Sequence, residues 1–167
     1  MAKVGVIMGS KSDLDIAGES IKLLREFGVD CDVVISSAHR TPEATAEWTK
    51  AAKENEYSAI LVFAGAAAHL GGVVAAETNV PVIAVPISAT SLLGLDALLS
   101  MVQMPGGIPV AVMAIGKAGA KNAALFACQI IATTDEAMYE KLVDYREAMK
   151  DKIENDNRDL AKYLETL

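Results

Sequence analysis

One stretch near the start of the chain decides its fold class: Lys3-Val4-Gly5-Val6-Ile7-Met8-Gly9-Ser10-Lys11-Ser12-Asp13. The first six residues form an apolar run rich in β-branched side chains, which is typical of a buried strand. Turn-forming residues end this run, and apolar residues then recur at helical spacing as far as Phe27. The stretch therefore predicts a strand, a tight turn and a helix, the unit from which α/β proteins are built.

The same unit recurs along the rest of the chain. The predicted strands cover residues 3–8, 29–35, 59–64, 80–86 and 108–114. The first predicted helix ends at residue 27, and the second begins at residues 41–43. The others cover about 69–78, 93–101, 118–133, 135–154 and, after a short polar segment, 159–164. In the second helix Thr41 is a natural N-cap and Pro42 suits the first helical position. Strands joined through helices run parallel, so the pattern predicts a three-layer α/β sandwich with additional C-terminal helices.

Length and composition predict one domain that associates with copies of itself. The 167 residues suffice for a single domain over 1–167, with a core of about 1–133 and a helical extension of about 135–167. Apolar residues make up 52% of the chain, and between residues 58 and 116 the only charged side chains are Glu77 and Asp96. A small domain cannot hide so apolar a segment alone, and we therefore expect a homo-oligomer.

Charge and hydropathy argue against nucleic acids and membranes as partners. The net charge of −7 disfavours a broad nucleic-acid interface. Residues 59–76 just reach the length of a membrane span, but Gly65, His69 and Gly71 interrupt them and no aromatic anchors flank them. The amino terminus starts directly with a strand pattern and shows no signal-peptide architecture, so we expect a cytoplasmic protein.

The residues that commonly bind metals are few and poorly spaced for that role. Cys31 and Cys128 form no CxxC pair, and we expect two free thiols. The chain has two histidines, His39 and His69, and neither lies in a cluster with the spacing of metal ligands. We therefore expect no metal ion as a cofactor.

The polar motifs all follow predicted strands. Residues 9–13, 36–40, 65–69 and 86–91 come after the first, second, third and fourth strands, respectively. Open parallel sheets bind ligands beyond the carboxyl ends of their strands, near the point where the strand order reverses. If the first strand lies between the second and third, as in the flavodoxin-like order, the first three loops share one rim. His39 and His69 would then lie near one cleft.

The loop 9–13 has the parts of a phosphate-binding turn. It offers a glycine, the hydroxyls of Ser10 and Ser12, a lysine and the start of a helix, whose free amides favour anions. Asp13 is poorly placed beside a phosphate, and it would accept hydrogen bonds from ligand hydroxyls such as those of a ribose. The glycine spacing is not that of a P-loop, and an ordinary helix cap is the structural alternative.

The second and third loops carry the other candidate residues. Arg40 offers a planar fork that suits a phosphate, and the adjacent His39 can exchange protons near neutral pH. His69 stands among alanines and glycines, which let the backbone approach a ligand closely. Two interpretations of His69 stay open: a residue in the wall of the cleft, or a histidine packed in the core.

Several motifs in register between residues 4 and 133 resemble one family. They are Met8-Gly9-Ser10-Lys11-Ser12-Asp13, Ser37-Ala38-His39-Arg40-Thr41-Pro42, Ala67-Ala68-His69-Leu70, Val102-Gln103-Met104-Pro105, Gly107-Ile108-Pro109, and Ala114-Ile115-Gly116-Lys117-Ala118-Gly119-Ala120 with Asn122-Ala123-Ala124-Leu125. The chain resembles the class I N5-carboxyaminoimidazole ribonucleotide mutases of purine biosynthesis. That resemblance implies a flavodoxin-like fold, a homo-octamer and active sites bordered by neighbouring subunits.

The resemblance also implies a reaction and its residues. The carbamate on the exocyclic nitrogen of the aminoimidazole ribonucleotide moves to ring carbon 4 without metal, ATP or biotin. His39 is then the proton-transfer residue, and the loop from Gly65 to His69 helps to confine carbon dioxide. The remaining residues implied at the substrate are Ser10, Ser12, Asp13, Ser37, Arg40, Gly65, Ala66, His69 and Leu70, with Arg40 and the serines near phosphate and Asp13 on the ribose.

The chain departs from the family pattern in one loop. The family usually has Gly-Gly-Ala-Ala-His-Leu-Pro-Gly, so Ala66 stands where a glycine could adopt a positive φ, and Gly71 replaces a rigid proline. The related class II carboxylases, which add carbon dioxide directly to aminoimidazole ribonucleotide, typically have Ser-Ala-His-Lys-Thr and lack Ala-His-Leu. Arg40 and His69 therefore favour class I. A non-catalytic nucleotide-binding domain is the third alternative.

Overall fold

Five parallel strands form a sheet in the computed structural model, which describes residues 2–167. The strands are β1 (Lys3–Met8), β2 (Asp30–Ile35), β3 (Tyr57–Gly65), β4 (Val82–Ile87) and β5 (Ala111–Val112). Their order across the sheet is β2-β1-β3-β4-β5, and all pairs are parallel. Strand β1 lies between β2 and β3, so the strand order reverses at β1, as the flavodoxin-like prediction requires.

Six α-helices cover the two faces of the sheet. They are α1 (Leu14–Glu26), α2 (Pro42–Lys50), α3 (Leu70–Glu77), α4 (Leu95–Val102), α5 (Lys117–Ala132) and α6 (Glu136–Leu164); a short 3-10 helix (Lys11–Asp13) precedes α1. Helices α1, α5 and α6 pack on one face, and α2, α3 and α4 pack on the other. The three-layer α/β sandwich is therefore confirmed.

Successive side chains of a strand point to opposite faces of the sheet, so the core consists of two layers. In β1, Val6 is fully buried against α1 and α5, whereas the next residue, Ile7, is fully buried on the opposite face. Burial of one such side chain contributes about 1.5–3 kcal/mol relative to exposure. Because the central strands are apolar on both faces, the sheet needs helices on both sides and its loops collect at the two ends.

The fifth strand is much shorter than predicted. Residues 108–114 were expected to form it, but only Ala111–Val112 pair with β4. Pro109 has no N–H with which to join a ladder, and Gly106 and Gly107 before it favour a turn. The shortened strand leaves residues 103–110 as a loop at the edge of the sheet.

The predicted break between the last two helices is also wrong. Helix α6 continues without interruption from Glu136 to Leu164, 29 residues or about 44 Å. Its polar segment contains no glycine or proline, and asparagine and aspartate lower helix propensity only slightly. The first part of α6 packs on α5, whereas residues 146–167 are exposed throughout. Among residues 2–167, no helix is both long and apolar enough to cross a membrane.

Candidate functional site

A cleft of about 380 Å³ lies at the carboxyl ends of β1 to β4. Its volume is in the range of small-molecule sites. Every residue predicted at the substrate contributes to its lining: Ser10, Ser12, Asp13, Ser37, His39, Arg40, Gly65, Ala66, His69 and Leu70. The structure thus brings together residues from three loops that are far apart in sequence, as the strand order predicts.

The two histidines are in direct contact at this cleft. The distance between Nε2 of His39 and Nδ1 of His69 is 2.9 Å, and the ring planes meet edge to face at 78°. Both side chains are exposed, so the interpretation of His69 as a core histidine is wrong. His69 is the N-cap residue of α3, which fixes its backbone at the mouth of the cleft.

Hydroxyl groups hold the loop that carries His39 and Arg40. The buried Oγ of Ser36 lies 3.1 Å from Oγ1 of Thr41 and 2.7 Å from Oγ1 of Thr45 on α2. The amide of Ser37 donates to Oγ1 of Thr41 at 2.9 Å. The loop between β2 and α2 is thereby closed into a compact turn, which presents the His-Arg pair to the cleft.

The predicted capping role of Thr41 is wrong in detail. Thr41 occupies the N-cap position before Pro42, but its hydroxyl makes no capping bond to α2. The hydroxyl instead accepts from Ser37, within the loop that precedes the helix. Thr41 therefore shapes the site loop rather than the helix start.

Arg40 links the second loop to the first. Its Nη2 donates to the carbonyl oxygen of Gly9 at 2.9 Å, and its backbone amide donates to Oγ of Ser37 at 3.2 Å. The guanidinium is exposed. These contacts hold a permanent positive charge beside the turn after β1, where an anion could approach.

Three backbone amides at that turn donate within the protein. The amide of Gly9 donates to Phe63, that of Ser10 to the Asp13 carboxylate, and that of Ser12 to Oγ of Ser10. These amides are therefore not the open anion cradle that the sequence suggested. An anion at this place would be bound by Arg40 and the serine hydroxyls.

Asp13 is a buried carboxylate at the base of the cleft. Burial raises the pKa of Asp13, while hydrogen bonds from Ser10 and Ser12 and the charge of Arg40 act in the opposite direction. Its Oδ2 accepts from the Ser10 amide at 3.1 Å, and its Oδ1 lies 3.4 Å from Oγ of Ser12. An ionised carboxylate has about four acceptor sites, so capacity for ligand hydroxyls remains.

The third loop is tightly constrained. Ala66 has φ +55°, which is left-handed backbone that only glycine adopts without cost, as its place in the family pattern suggested. The amides of Ala68 and His69 donate to the carbonyls two residues earlier, both at 2.8 Å. Gly71 lies buried in the first turn of α3, where a Cβ would come 3.3 Å from that of Ala84.

Several lining residues were missed by the sequence analysis. They are the small residues Ala38, Ala64 and Ala89. Ala89 lies in the loop after β4, whereas only the loops after the first three strands were expected to share the rim. Ser36 and Thr45 were missed because they position a loop. The spacing of hydroxyl side chains along the start of α2 is the one sequence signal that indicates this role.

The described residues offer little to a metal ion. Within residues 2–167, no group of three or more His, Cys, Asp and Glu side chains is arranged to hold one. What the cleft assembles is a permanent cation, a buried carboxylate, several hydroxyls and a pair of histidines. This set can bind a phosphorylated, hydroxylated ligand and move a proton.

The fold and the cleft define a class: a flavodoxin-like α/β protein with a polar cleft at the carboxyl ends of its strands. The sequence profile of the AIR carboxylase family matches residues 3–152. The chain belongs to the AIR carboxylase family.

Relatives span nearly the whole chain. An N5-carboxyaminoimidazole ribonucleotide mutase of Pyrococcus abyssi is 53% identical over 150 residues, covering 90% of this chain and 85% of the relative. The protein of that name from Escherichia coli is 47% identical over 152 residues, covering 91% and 90%. The crystal structure of Treponema denticola PurE superposes with a TM-score of 0.86 at 30% identity, covering 96% and 99%.

Proposed function

We propose that this protein is an N5-carboxyaminoimidazole ribonucleotide mutase, which converts that carbamate to 4-carboxy-5-aminoimidazole ribonucleotide. One observation carries the proposal: His39 and Arg40 adjoin each other on one side of a cleft whose other sides are the Ser10–Asp13 turn and His69. The relatives with this name are 47% to 53% identical over most of the chain, which supports the same assignment.

The phosphate and the ribose of the substrate would each bind to a different part of the cleft. Arg40 and the hydroxyls of Ser10, Ser12 and Ser37 would bind the 5′-phosphate, because the guanidinium and the serines converge beside the turn after β1. Asp13 would accept hydrogen bonds from the ribose hydroxyls at the base of the cleft. Held in this way, the imidazole ring lies toward the histidines.

The proton balance needs one histidine. When the N–C bond of the carbamate breaks, carbon dioxide leaves and the nitrogen takes a proton from His39. Ring carbon 4 then attacks carbon dioxide, and the proton that this carbon loses returns to His39. No proton is gained or lost overall. A positioned acid–base group of this kind contributes about 10² to 10⁴ in rate.

The third loop would confine carbon dioxide between the two steps. Its wall consists of Gly65, Ala66, Ala67, Ala68 and Leu70, which offer small apolar surfaces and no competing nucleophile. Carbon dioxide that is held beside carbon 4 reacts within the site and does not have to be captured again from solution. This proximity accounts for the remainder of the acceleration.

A two-substrate assay tests the reaction. Purified protein should convert the carbamate nucleotide to the carbon-carboxylated product faster than buffer does. Aminoimidazole ribonucleotide with modest bicarbonate should give much slower turnover. The opposite order of rates identifies the class II carboxylase instead, and binding without either reaction identifies a non-catalytic nucleotide-binding domain.

Two substitutions test the assigned residues. His39→Asn should lower kcat by about 10² or more with little change in nucleotide binding, because only proton transfer is removed. Arg40→Met should mainly raise KM, since a phosphate contact is lost. Arg158→Met on the exposed part of α6 removes the same charge far from the cleft and serves as the control. Equal effects of Arg40→Met and Arg158→Met would refute the phosphate assignment.

We also propose that the protein is a homo-octamer, as its family resemblance implies. Large apolar side chains are exposed on α4, on its preceding loop and on α6: Leu92, Leu93, Leu95, Leu99, Val102, Ile153, Leu160, Tyr163 and Leu164. Burial of this surface between subunits supports association. Light scattering after gel filtration should then give about eight times the 17.6 kDa of one chain.

Paired variants on α6 test its part in the assembly. Leu160 and Tyr163 are 53% and 60% exposed on one side of this helix. Replacing both by serine should lower the mass of the assembly if α6 packs on a neighbouring subunit. Replacing Arg158 and Asp159 by serine alters the same turn without removing apolar surface, and it should leave the mass unchanged. An octamer in both variants counts against α6 as an interface.

We further propose a cytoplasmic location. The free thiols Cys31 and Cys128 fit a reducing compartment, and so does a reaction in nucleotide biosynthesis. Subcellular fractionation of the source cells tests this location, and recovery of the protein with an extracytoplasmic fraction would contradict it.

A further inference from the structure

One line of side chains along α6 has the spacing of a coiled coil. This line, which we call the seam, advances by alternate steps of three and four residues, and a repeat of 3.5 residues is what pairs one helix with another. Six of its eight residues are apolar or aromatic, and two are charged: Tyr139, Leu142, Arg146, Met149, Ile153, Asp156, Leu160 and Tyr163.

The second half of the seam has no other element beneath it. Residues 146–167 are exposed throughout, and Ile153, Leu160 and Tyr163 are each 53% to 60% exposed. A single helix of this length is only marginally stable in water, because helices in proteins owe most of their stability to the packing of an apolar face. The second half of α6 therefore needs a partner.

The first half of the seam borders two hollows beside α5. One hollow, of about 390 Å³, is lined by Tyr139, Leu142 and Arg146 of the seam. The other, of about 310 Å³, is lined by Leu142, Arg146 and Met149 and by Phe126 of α5. The two halves of α6 thus have complementary shapes, since one half offers hollows and the other offers projecting apolar side chains.

The seam is also self-complementary in sequence. Read from its first residue, it runs Tyr, Leu, Arg, Met; read from its last residue, it runs Tyr, Leu, Asp, Ile. Two antiparallel copies of α6 that are centred on residue 151 therefore place similar side chains opposite each other, with one exception of opposite charge. The opposed positions are 139 and 163, 142 and 160, 149 and 153, and, with the charges, 146 and 156.

We propose that α6 pairs antiparallel with α6 of a second copy of this chain, and that Arg146 forms an ion pair with Asp156 of the other copy. The contact is isologous, because both copies offer the same seam. This inference rests on the self-association proposed above, and it names the segment and the charged pair that form one of its two-fold contacts. It does not depend on the mutase reaction.

The two charges of the seam have no partner within their own chain. The ion pairs found within residues 2–167 involve neither Arg146 nor Asp156, whereas Lys150 pairs with Glu147 on the same helix. No acidic residue lies three or four positions from Arg146, where a helix would bring one into reach. Both charges are therefore available to a second copy.

The same two charges disfavour the other ways of pairing the seams. A parallel pair in register would place Arg146 against Arg146 and Asp156 against Asp156. An antiparallel pair shifted by seven residues in either direction would place both charges against apolar or aromatic side chains, where they lose water without gaining a partner. The proposed register is the one of these arrangements that joins the opposite charges.

Exchange of the charges tests the register. Arg146→Asp brings two acidic residues together at each end of the pair, and Asp156→Arg brings two basic residues together. We expect each variant to raise the dissociation constant of self-association at least about tenfold, measured by light scattering over a range of concentrations. The double variant restores opposite charges and should assemble as the parent does. Asp151→Arg combined with Arg158→Asp, on the far side of the helix, is the control and should also assemble as the parent does.

Two results of this experiment would overturn the proposal. One is that both single variants assemble as the parent does, and the other is that the double variant stays as weak as the single variants. Circular dichroism checks that each variant keeps its helix content.

Cross-linking tests the same contact without altering a charge. In a Cys31→Ser background, Tyr139→Cys and Tyr163→Cys chains with different tags are produced together and oxidised. We expect a disulfide between the two kinds of chain and none between chains of one kind, because identical seam positions would lie about 36 Å apart along the pair. A disulfide between Tyr139→Cys and Asp156→Cys chains, with none in the first mixture, would show a shifted register and overturn the proposal.

Failure of the inference and failure of the proposed octamer give different results. An octamer that neither single charge variant weakens refutes the α6 pair alone. A dimer that Asp156→Arg dissociates and the double variant restores refutes the octamer and supports the α6 pair. A monomeric parent refutes both. The two-substrate assay decides the mutase reaction independently of these results.

Discussion

Gly65 and Ala89 touch at the point where β3 and β4 end. A Cβ built on Gly65 would lie 2.6 Å from Cβ of Ala89, closer than Cβ atoms approach in proteins, and 3.1 Å from the carbonyl oxygen of Ile87, which is a tight contact. Both residues line the cleft. The absence of a side chain at residue 65 is therefore what lets the loops after β3 and β4 pack together at the cleft.

A methyl group at this place should damage both stability and activity. We expect Gly65→Ala to lower the free energy of unfolding by about 1–3 kcal/mol, the usual cost of overpacking. Because Ala66 follows directly, kcat/KM should also fall. Urea denaturation and steady-state kinetics measure the two effects. Gly18→Ala in α1 is the matched control, since nothing lies within 4 Å of its Cβ, and it should raise stability by about 0.5–1 kcal/mol.

A second substitution identifies the cause of the damage. Combining Gly65→Ala with Ala89→Gly removes the closest contact, so the double variant should recover part of the lost stability. The nearby carbonyl of Ile87 prevents full recovery. If Gly65→Ala is as stable as the parent, or if Ala89→Gly brings no recovery, the packing argument is wrong.

At the next residue, Ala66, a substitution should raise stability and not lower it. Ala66 has φ +55°, a conformation that costs about 1–2 kcal/mol for a residue with a Cβ. Ala66→Gly removes this strain but adds about 0.4–1 kcal/mol of unfolded-state entropy. The strain is the larger effect, and we expect a net gain in the free energy of unfolding of about 0.5 kcal/mol or more, measured by urea denaturation.

The adjacent alanine provides the comparison for this substitution. Ala67 is exposed and has no positive φ, so Ala67→Gly brings the entropy cost without relief of strain. It should lower stability by about 0.4–1 kcal/mol. If both glycine variants lose stability equally, the backbone at Ala66 is not strained in solution.

The sequence predicts the large features of this site because they follow from strand order. Once the first strand is placed between the second and third, His39 and His69 must approach each other, and the structure puts them in contact. Residue types then suggest the chemistry, since an arginine can bind a phosphate and a histidine can exchange protons near neutral pH. The positive φ of Ala66 was also foreseeable, because the family pattern has glycine there.

What the sequence does not predict depends on packing and on the competition between partners. The helix start after the first strand was expected to offer free amides to an anion, but the amides of Ser10 and Ser12 donate to Asp13 and to the Ser10 hydroxyl. The hydroxyl of Thr41 was expected to cap α2, but Ser37 lies closer. At the first turn a donor has more than one suitable acceptor, and at Thr41 an acceptor has more than one suitable donor. Only the three-dimensional arrangement decides between them.

Asp13 should make stability depend on pH. Burial raises the pKa of its carboxyl in the folded protein, so the folded chain binds this proton more tightly than the unfolded chain does. The contribution of Asp13 to stability is therefore fully present below its ordinary pKa of about 3.8 and is lost as the pH rises through the raised value. Burial makes the ionised carboxylate less favourable in the folded chain than in the unfolded chain.

Comparison with an uncharged residue isolates this effect from the other carboxylates. The free energy of unfolding of Asp13→Asn, minus that of the parent, should be greatest at pH 7 and should shrink as the pH falls toward 4. Urea titrations at several pH values measure this difference. A difference that grows on acidification would contradict the sign of the pKa change.

The two thiols should differ in reactivity. Cys128 is fully buried, and burial raises its pKa to about 11, with nearby Cys31 adding to the shift. Only about one molecule in a thousand would carry the Cys128 thiolate at pH 8, and the thiolate is the form that reacts. Cys31 is partly exposed on β2, and burial raises its pKa as well.

Alkylation with iodoacetamide at pH 8, followed by peptide mass spectrometry, measures the difference. In the folded protein Cys31 should be modified slowly and Cys128 should remain unmodified, whereas in urea both should react quickly. The Cys31→Ser variant should then take up no label while folded. Label on Cys128 in that variant would mean that α5 opens from the sheet, because the thiol becomes accessible only when α5 and the strands beneath it separate.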